Sequence, residues 1–219
     1  MFTKKISKLS ALLAFLITVC VLIIGYFCVR DFFLTDAQKM GYALTAIQDK
    51  KPYKAEKYLL SLTKSEHPKM AERAAYYLAN LYLKGENGFS KNPQKAEKYL
   101  MLSADKGSVR AAYELALLYD IGSQIPENRD KALEYMTMAA KQNYAPALYA
   151  MGVWAERGYM DVPFGKIVQV YEMAANQGYQ NAMASLISIY SNGYGPFPYN
   201  IQRANYWLHQ LQKSKKEQQ

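Results

Sequence analysis

Cysteine is nearly absent from this 219-residue chain: Cys20 and Cys28 share one apolar stretch near the N-terminus, and no other follows. The rest of the sequence therefore has no disulfide framework and no thiolate metal site. Histidine is as scarce, with His67 in SEHPKM and His209 in the last helical segment. Neither stands at a metal-ligand spacing, and they read as a solvated turn residue and a helix-surface residue. No phosphate loop is present, because GYGPFP (193–198) lacks both the lysine and the following helix. A nucleophile elbow is missing too. Acidic residues are outnumbered, 18 against 27 basic ones. Most have a basic neighbour at helical spacing, which marks solvated helix faces rather than acid–base pairs. These absences leave nothing to support an enzyme, and no cofactor or metal is called for.

Charge is missing altogether over residues 9–29, LSALLAFLITVCVLIIGYFCV. About 20 apolar residues span the hydrocarbon core of a bilayer. Lys4, Lys5 and Lys8 precede the stretch, while Arg30 and Asp31 follow it and nearly cancel. Positive charge stays on the cytoplasmic side. The expectation is one transmembrane helix at 9–29 with a cytoplasmic N-terminus at 1–8. The rest would lie in the periplasm or outside the cell, anchored to the inner (plasma) membrane. A cleaved signal peptide is the alternative. Its apolar region is usually about 7–15 residues and ends in a small-x-small site, unlike the longer run here that closes on GYFCV.

What is present is repetition. KAEKYL occurs at 54–59 and again at 95–100. Four segments share a second pattern: AAYYLANLYLKG from Ala74, AAYELALLYDIG from Ala111, ALYAMGVWAERG from Ala147 and AMASLISIYSNG from Ala182. Positions 0, +4, +7 and +8 of each fall on one helical face. A glycine stands eleven residues after each start, at Gly85, Gly122, Gly158 and Gly193, where a left-handed helix end suits it. A second helix follows each stop, over 91–107, 128–143, 164–178 and 200–213. Small residues recur in these second helices where helices must approach closely: Ala104, Ala139 with Ala140, and Ala174 with Ala175. Residues 36–49 and 52–66 read as a fifth, degenerate pair without the marker glycine. One helix pair cannot bury its apolar face alone, so pairs stack and the same solution recurs.

The pattern A-x-x-x-L-[GA]-x-x-Y-x-x-G, then K-A-x-x-[YW]-x-x-x-A-A-x-x-G, resembles the Sel-one-like repeat (SLR), a relative of the tetratricopeptide repeat. The resemblance covers residues 74–213 and is closest in the copies from Ala74 and Ala111. The copy from Ala147 departs from it, with Ala155 for the usual tyrosine and Ile167 for the usual alanine. The copy from Ala182 has Ile187 for the small residue. Residues 36–69 look more like a plain tetratricopeptide unit, and 214–219 form a polar tail. The resemblance implies an all-α fold, a right-handed α-solenoid of about five antiparallel helix pairs. It also implies a scaffold or adaptor, in bacteria often at the cell envelope, with no common catalytic residues.

The first helices of such arrays line the concave surface. With 0, +4, +7 and +8 taken by the core, +3, +6 and +10 form a neighbouring stripe. It reads Tyr77, Asn80, Lys84; Glu114, Leu117, Ile121; Ala150, Val153, Arg157; Ser185, Ser188, Asn192. Its size and charge vary between copies, as a partner-binding groove or an unconstrained surface would. The expected partner is a protein or peptide. The alternative is a glycan stacked on exposed aromatics such as Trp207, although that residue stands at a core-like position. Tyr76, Tyr113 and Tyr149 recur at +2 and read as packing between adjacent repeats rather than as ligand platforms. Residues 36–110 carry a balance of +6, against −2 for 111–212. Lys50, Lys51 and Lys54 cluster at one turn and are the candidates for contact with an anionic membrane surface. No nucleic-acid partner is indicated.

Overall fold

The computed structural model describes residues 15–22 and 33–217. A first helix, α1, is described over 15–22. Ten more follow: α2 (Asp36–Gln48), α3 (Pro52–Leu62), α4 (Pro68–Lys84), α5 (Pro93–Asp105), α6 (Val109–Ile121), α7 (Arg129–Lys141), α8 (Ala145–Glu156), α9 (Phe164–Ala175), α10 (Gln180–Asn192) and α11 (Ile201–Lys216). They stack as five consecutive pairs, each packed internally and against the next, in an all-α solenoid. Even-numbered members of α2–α11 are the A helices and odd-numbered ones the B helices.

The expected transmembrane helix is not found. Among the described residues no helix is long and apolar enough to cross a membrane. Within 9–29 the structure describes residues 15–22, which are helical. The remainder of that stretch lies outside the described residues. The single-pass inner-membrane placement, and the topology built on it, is corrected accordingly.

Local sequence explains where the helices begin and end. Thr35 starts α2 with a reciprocal capping box, its side chain taking the Gln38 N–H while Gln38 takes the Thr35 N–H. Proline opens α3, α4 and α5, where its missing N–H costs nothing. Gly85 and Gly122 close α4 and α6 with φ of 69° and 66°. A side chain there would be strained, and at Gly122 a Cβ would also meet Glu127 at 2.9 Å.

The core follows the repeat register. Ala74, Leu78, Leu81 and Tyr82 are buried, as are Ala111, Leu115, Leu118, Tyr119 and Ala182, Leu186, Ile189, Tyr190. The third copy differs: Ala147 and Trp154 are buried, but Met151 and Ala155 are only half-buried. The core is also divided at this point. One cluster runs from Met40 to Ala147 and Trp154; a second runs from Leu148 to Trp207. The boundary passes along α8. Ala147, Ala150, Met151 and Trp154 belong to the first cluster, and Leu148, Tyr149, Val153 and Ala155 to the second.

The doubled hexapeptide has a three-helix explanation. Ala55 and Ala96, Tyr58 and Tyr99, and Leu59 and Leu100 bury equivalent faces of α3 and α5. The polar members meet on one tyrosine between them. Tyr82 on α4 donates its hydroxyl to Glu56 of the first copy and accepts from Lys95 of the second, at 3.0 Å. A buried phenol needs such partners. Tyr119 does the same with Glu97 (2.5 Å) and Lys131 (3.3 Å), and Tyr190 with Glu172 (3.0 Å) and Arg203 (2.7 Å).

Each of these bases stands three residues after an asparagine. Asn92, Asn128 and Asn200 send their backbone N–H to the carbonyl of Tyr82, Tyr119 and Tyr190, at 2.8, 3.0 and 2.8 Å. Their side chains accept the N–H of Lys95, Lys131 and Arg203, capping α5, α7 and α11. Asparagine, base and tyrosine therefore form a clasp that fixes α5, α7 and α11 each to its own A helix and to the B helix before it.

Candidate functional site: a cleft between the first two A helices

Two A helices, α2 and α4, leave a cleft of about 350 Å³ between them. Leu44, Ile47, Tyr77 and Leu81 give it an apolar lining; Gln48, Asn80, Lys84, Glu86 and Asn87 supply polar groups. An apolar lining with a few polar groups is the usual build of a recognition site. Lys84 and Glu86 form no salt bridge among the described residues, and Lys84 lies within electrostatic reach of Glu114. The backbone reverses sharply at the rim, where Asn87 has φ of 56°.

Three residues of the variable stripe, Tyr77, Asn80 and Lys84, come together here. Asn80 is braced by its own helix, donating Nδ2 to the Tyr76 carbonyl at 3.0 Å. Glu114 lies one repeat further on. Its Oε1 accepts from the Tyr76 hydroxyl at 2.5 Å, while its Oε2 is buried with no hydrogen-bond partner among the described residues. Burial lifts this carboxyl above its ordinary range, against the Tyr76 hydrogen bond and the positive charges of Arg110 and Lys84. Tyr76 is pushed up to about 12, first by burial and then by Glu114.

That shift has a definite sign. A carboxyl whose folded pKa exceeds its unfolded one binds more protons in the folded state, so stability falls as pH rises between the two values. Above both, the folded protein carries a half-buried charge at a cost. Glu114→Gln should flatten this part of the stability–pH curve and raise the melting temperature at neutral pH relative to the parent. An unchanged difference between pH 4 and pH 8 would show that the carboxyl is solvated.

The other stripe residues do not line the cleft. Leu117 packs on the first core cluster and Val153 on the second. Ile121, at the end of α6, is 65% exposed. Arg157 is exposed at the end of α8, and Ser188 and Asn192 are exposed on α10, 3.5 Å apart. Lys50, Lys51 and Lys54 are exposed around the α2–α3 turn, where Lys51 pairs with Asp49 at 2.9 Å. Trp207 is 6% exposed and so offers no face to a sugar. His67 and His209 are exposed. Among the described residues no group of three or more His, Cys, Asp or Glu is placed to hold a metal.

The half-buried tyrosines at +2 pack across the repeats. Tyr113 meets Tyr144 edge-on with centroids 5.5 Å apart, and Tyr149 lies 5.4 Å from Tyr179 and 5.6 Å from Tyr171. The opposite wall of the cleft, Leu44, Ile47 and Gln48, was not among the sequence candidates. The signal available was helical periodicity in 36–49, but without a marker glycine its register against the other copies is undefined.

The profile of the Sel1 repeat family matches residues 72–108, 109–144 and 180–211. Protein SHC1 of Saccharomyces cerevisiae is 31% identical over 90 residues, which is 41% of this chain and 17% of that protein. Chitin synthase regulator SKT5 of Malassezia restricta is 31% identical over 133 residues, covering 57% of this chain and 9% of the relative. Chitin synthase regulatory factor 2 of Schizosaccharomyces pombe is 26% identical over 125 residues, 55% of this chain and 24% of the relative. The chain thus spans less than a quarter of the length of these relatives. In fold it is similar to a Sel1 repeat protein from Oxalobacter formigenes, with a TM-score of 0.66, 22% identity, and 82% and 74% of the two chains covered. It is also similar to a protective antigen of uropathogenic Escherichia coli with an SLR fold, at a TM-score of 0.68, 18% identity, and 82% and 38% coverage. The chain thus carries three segments that match the Sel1 repeat, in an all-α fold similar to that of these solenoids.

Proposed function

We propose that this Sel1-repeat protein is a non-catalytic adaptor that holds a protein or peptide partner against its A-helix face, with the α2–α4 cleft as the anchoring point. The observation that carries the reading is the cleft itself. It joins an apolar lining to the charges of Lys84 and Glu86, and it gathers three stripe residues that vary between copies. Its volume suits one or two partner side chains rather than a folded domain, so the rest of the partner would lie along the neighbouring A helices. The names of two of the relatives, a regulator and a regulatory factor of chitin synthase, support a role exerted through binding rather than through chemistry on this chain.

Interfaces concentrate their energy in a few aromatic and charged anchors, with truncation costing about 2 kcal/mol or more at each. Tyr77 is the strongest such anchor here. A photo-crosslinking residue at position 77 of the full chain, in its own host, should form a discrete protein adduct. The same residue at position 53 is the control, since Tyr53 is 83% exposed and lies outside the cleft. Equal labelling from both positions would remove the cleft from consideration, and an adduct with glycan would favour the sugar-binding alternative.

A further inference from the structure

The third repeat unit lacks the clasp that secures the copies from Ala74, Ala111 and Ala182. Ala155 stands where Tyr82, Tyr119 and Tyr190 stand in their helices, so there is no hydroxyl to bridge the neighbouring B helices. Pro163 stands at the cap of α9, with no N–H to give to a carbonyl of α8 and no side chain to cap the helix. The base is present as Lys166, but it turns to Gln169 on its own helix, at 3.3 Å. Tyr171 enters instead over Gly152 and donates to Glu156 at 2.9 Å, a bond between α9 and α8 only. Among the described residues no tyrosine bond reaches back to α7; the link there is from Gln177, just past α9, whose Nε2 donates to Asn143, just past α7, at 3.3 Å on the exposed surface.

The divided core coincides with this gap. All buried positions of α4 and α6 but Ala71 and Ala75 belong to the first cluster, and those of α10 to the second, whereas α8 gives one face to each. Ala140 on α7 is the one side chain, among the described residues, that packs on both clusters.

We propose that the solenoid is two cooperative blocks joined along α8: a proximal block of α2–α7 and a distal block of α9–α11, each seated on its own face of that helix. The two open independently and can tilt against one another about this seam. In repeat arrays stability is the sum of unit and nearest-neighbour terms, so a weak interface divides the array. Clasps at Tyr82 and Tyr119 hold the proximal block, and one at Tyr190 holds the distal block. The distal block, with fewer pairs and one clasp, opens first. A partner reaching from the cleft past α8 would thus meet a surface whose curvature can adjust.

Amide hydrogen exchange of the full chain across a urea series, read by mass spectrometry, tests this. Protection in α10 and α11 should be lost at lower urea than in α4–α7. Tyr190→Phe removes one clasp hydroxyl from the distal block and should speed exchange there roughly fivefold, the usual worth of such a hydrogen bond, with α4–α7 unchanged. Tyr119→Phe should do the reverse. Substitution to phenylalanine keeps the ring, so both variants retain their packing. Simultaneous loss of protection throughout, with either variant shifting both regions equally, would mean one cooperative array and would overturn the proposal.

Discussion

Leu115→Ala should lower the unfolding free energy of the full chain by about 2–5 kcal/mol, the range for deleting a fully buried leucine that leaves a cavity. Leu115 is fully buried at the +4 position of α6, with Ala111, Ala112 and Ala116 around it on the same helix, all fully buried. Alanines have no side chain to swing into the space, so the site collapses poorly and the cost belongs in the upper half of that range. The register offers an internal control. Met151 occupies the same +4 position on α8 but is half-buried at the seam between the two core clusters. Met151→Ala should therefore cost less than half as much. Urea denaturation of the two variants measures both values, and equal losses would refute the seam as described.

How much of this architecture could be read beforehand depended on whether a feature was periodic. The Ala–Leu–Tyr face and the glycine stops repeat about every 36 residues, so four copies vote on each position. Those positions are buried in the copies from Ala74, Ala111 and Ala182. Features made by residues far apart in sequence were invisible for the same reason. Glu56, Tyr82 and Lys95 are each unremarkable alone; only stacking brings them to one hydroxyl. The cleft was half legible. Tyr77, Asn80 and Lys84 followed from the stripe on α4, but the facing wall on α2 had no register to place it. Composition alone suggested a membrane span at 9–29, but among the described residues no helix is long and apolar enough to cross a membrane. The departures at Ala155 and Ile167 were legible as departures, while their consequence, a missing clasp and a split core, required the packing.

Gly152→Val should be the most damaging substitution in α8, costing about 2–4 kcal/mol. The position lies inside the helix, where glycine is normally a liability: replacing it by alanine gains about 1 kcal/mol of helix propensity. Packing opposes that gain. A Cβ at this position would lie 2.4 Å from Cε1 of Tyr171 and 2.8 Å from its Cζ. That ring is fully buried and its hydroxyl is tied to Glu156, so it has nowhere to move. Overpacking of this kind costs about 1–3 kcal/mol for a single methyl group, and valine adds two further carbons and a β-branch. The corresponding positions in α4 and α6 carry Ala79 and Ala116, both fully buried, so the fold tolerates a Cβ here when no ring enters. The sign of the alanine effect should therefore depend on residue 171. Gly152→Ala alone should destabilise; in a Tyr171→Leu background, where the ring edge is gone, it should stabilise. Thermal melting of the four proteins in this cycle measures the coupling. If Gly152→Ala has the same effect in both backgrounds, the ring does not press on the helix, and the seating of α9 on α8 is different from that described.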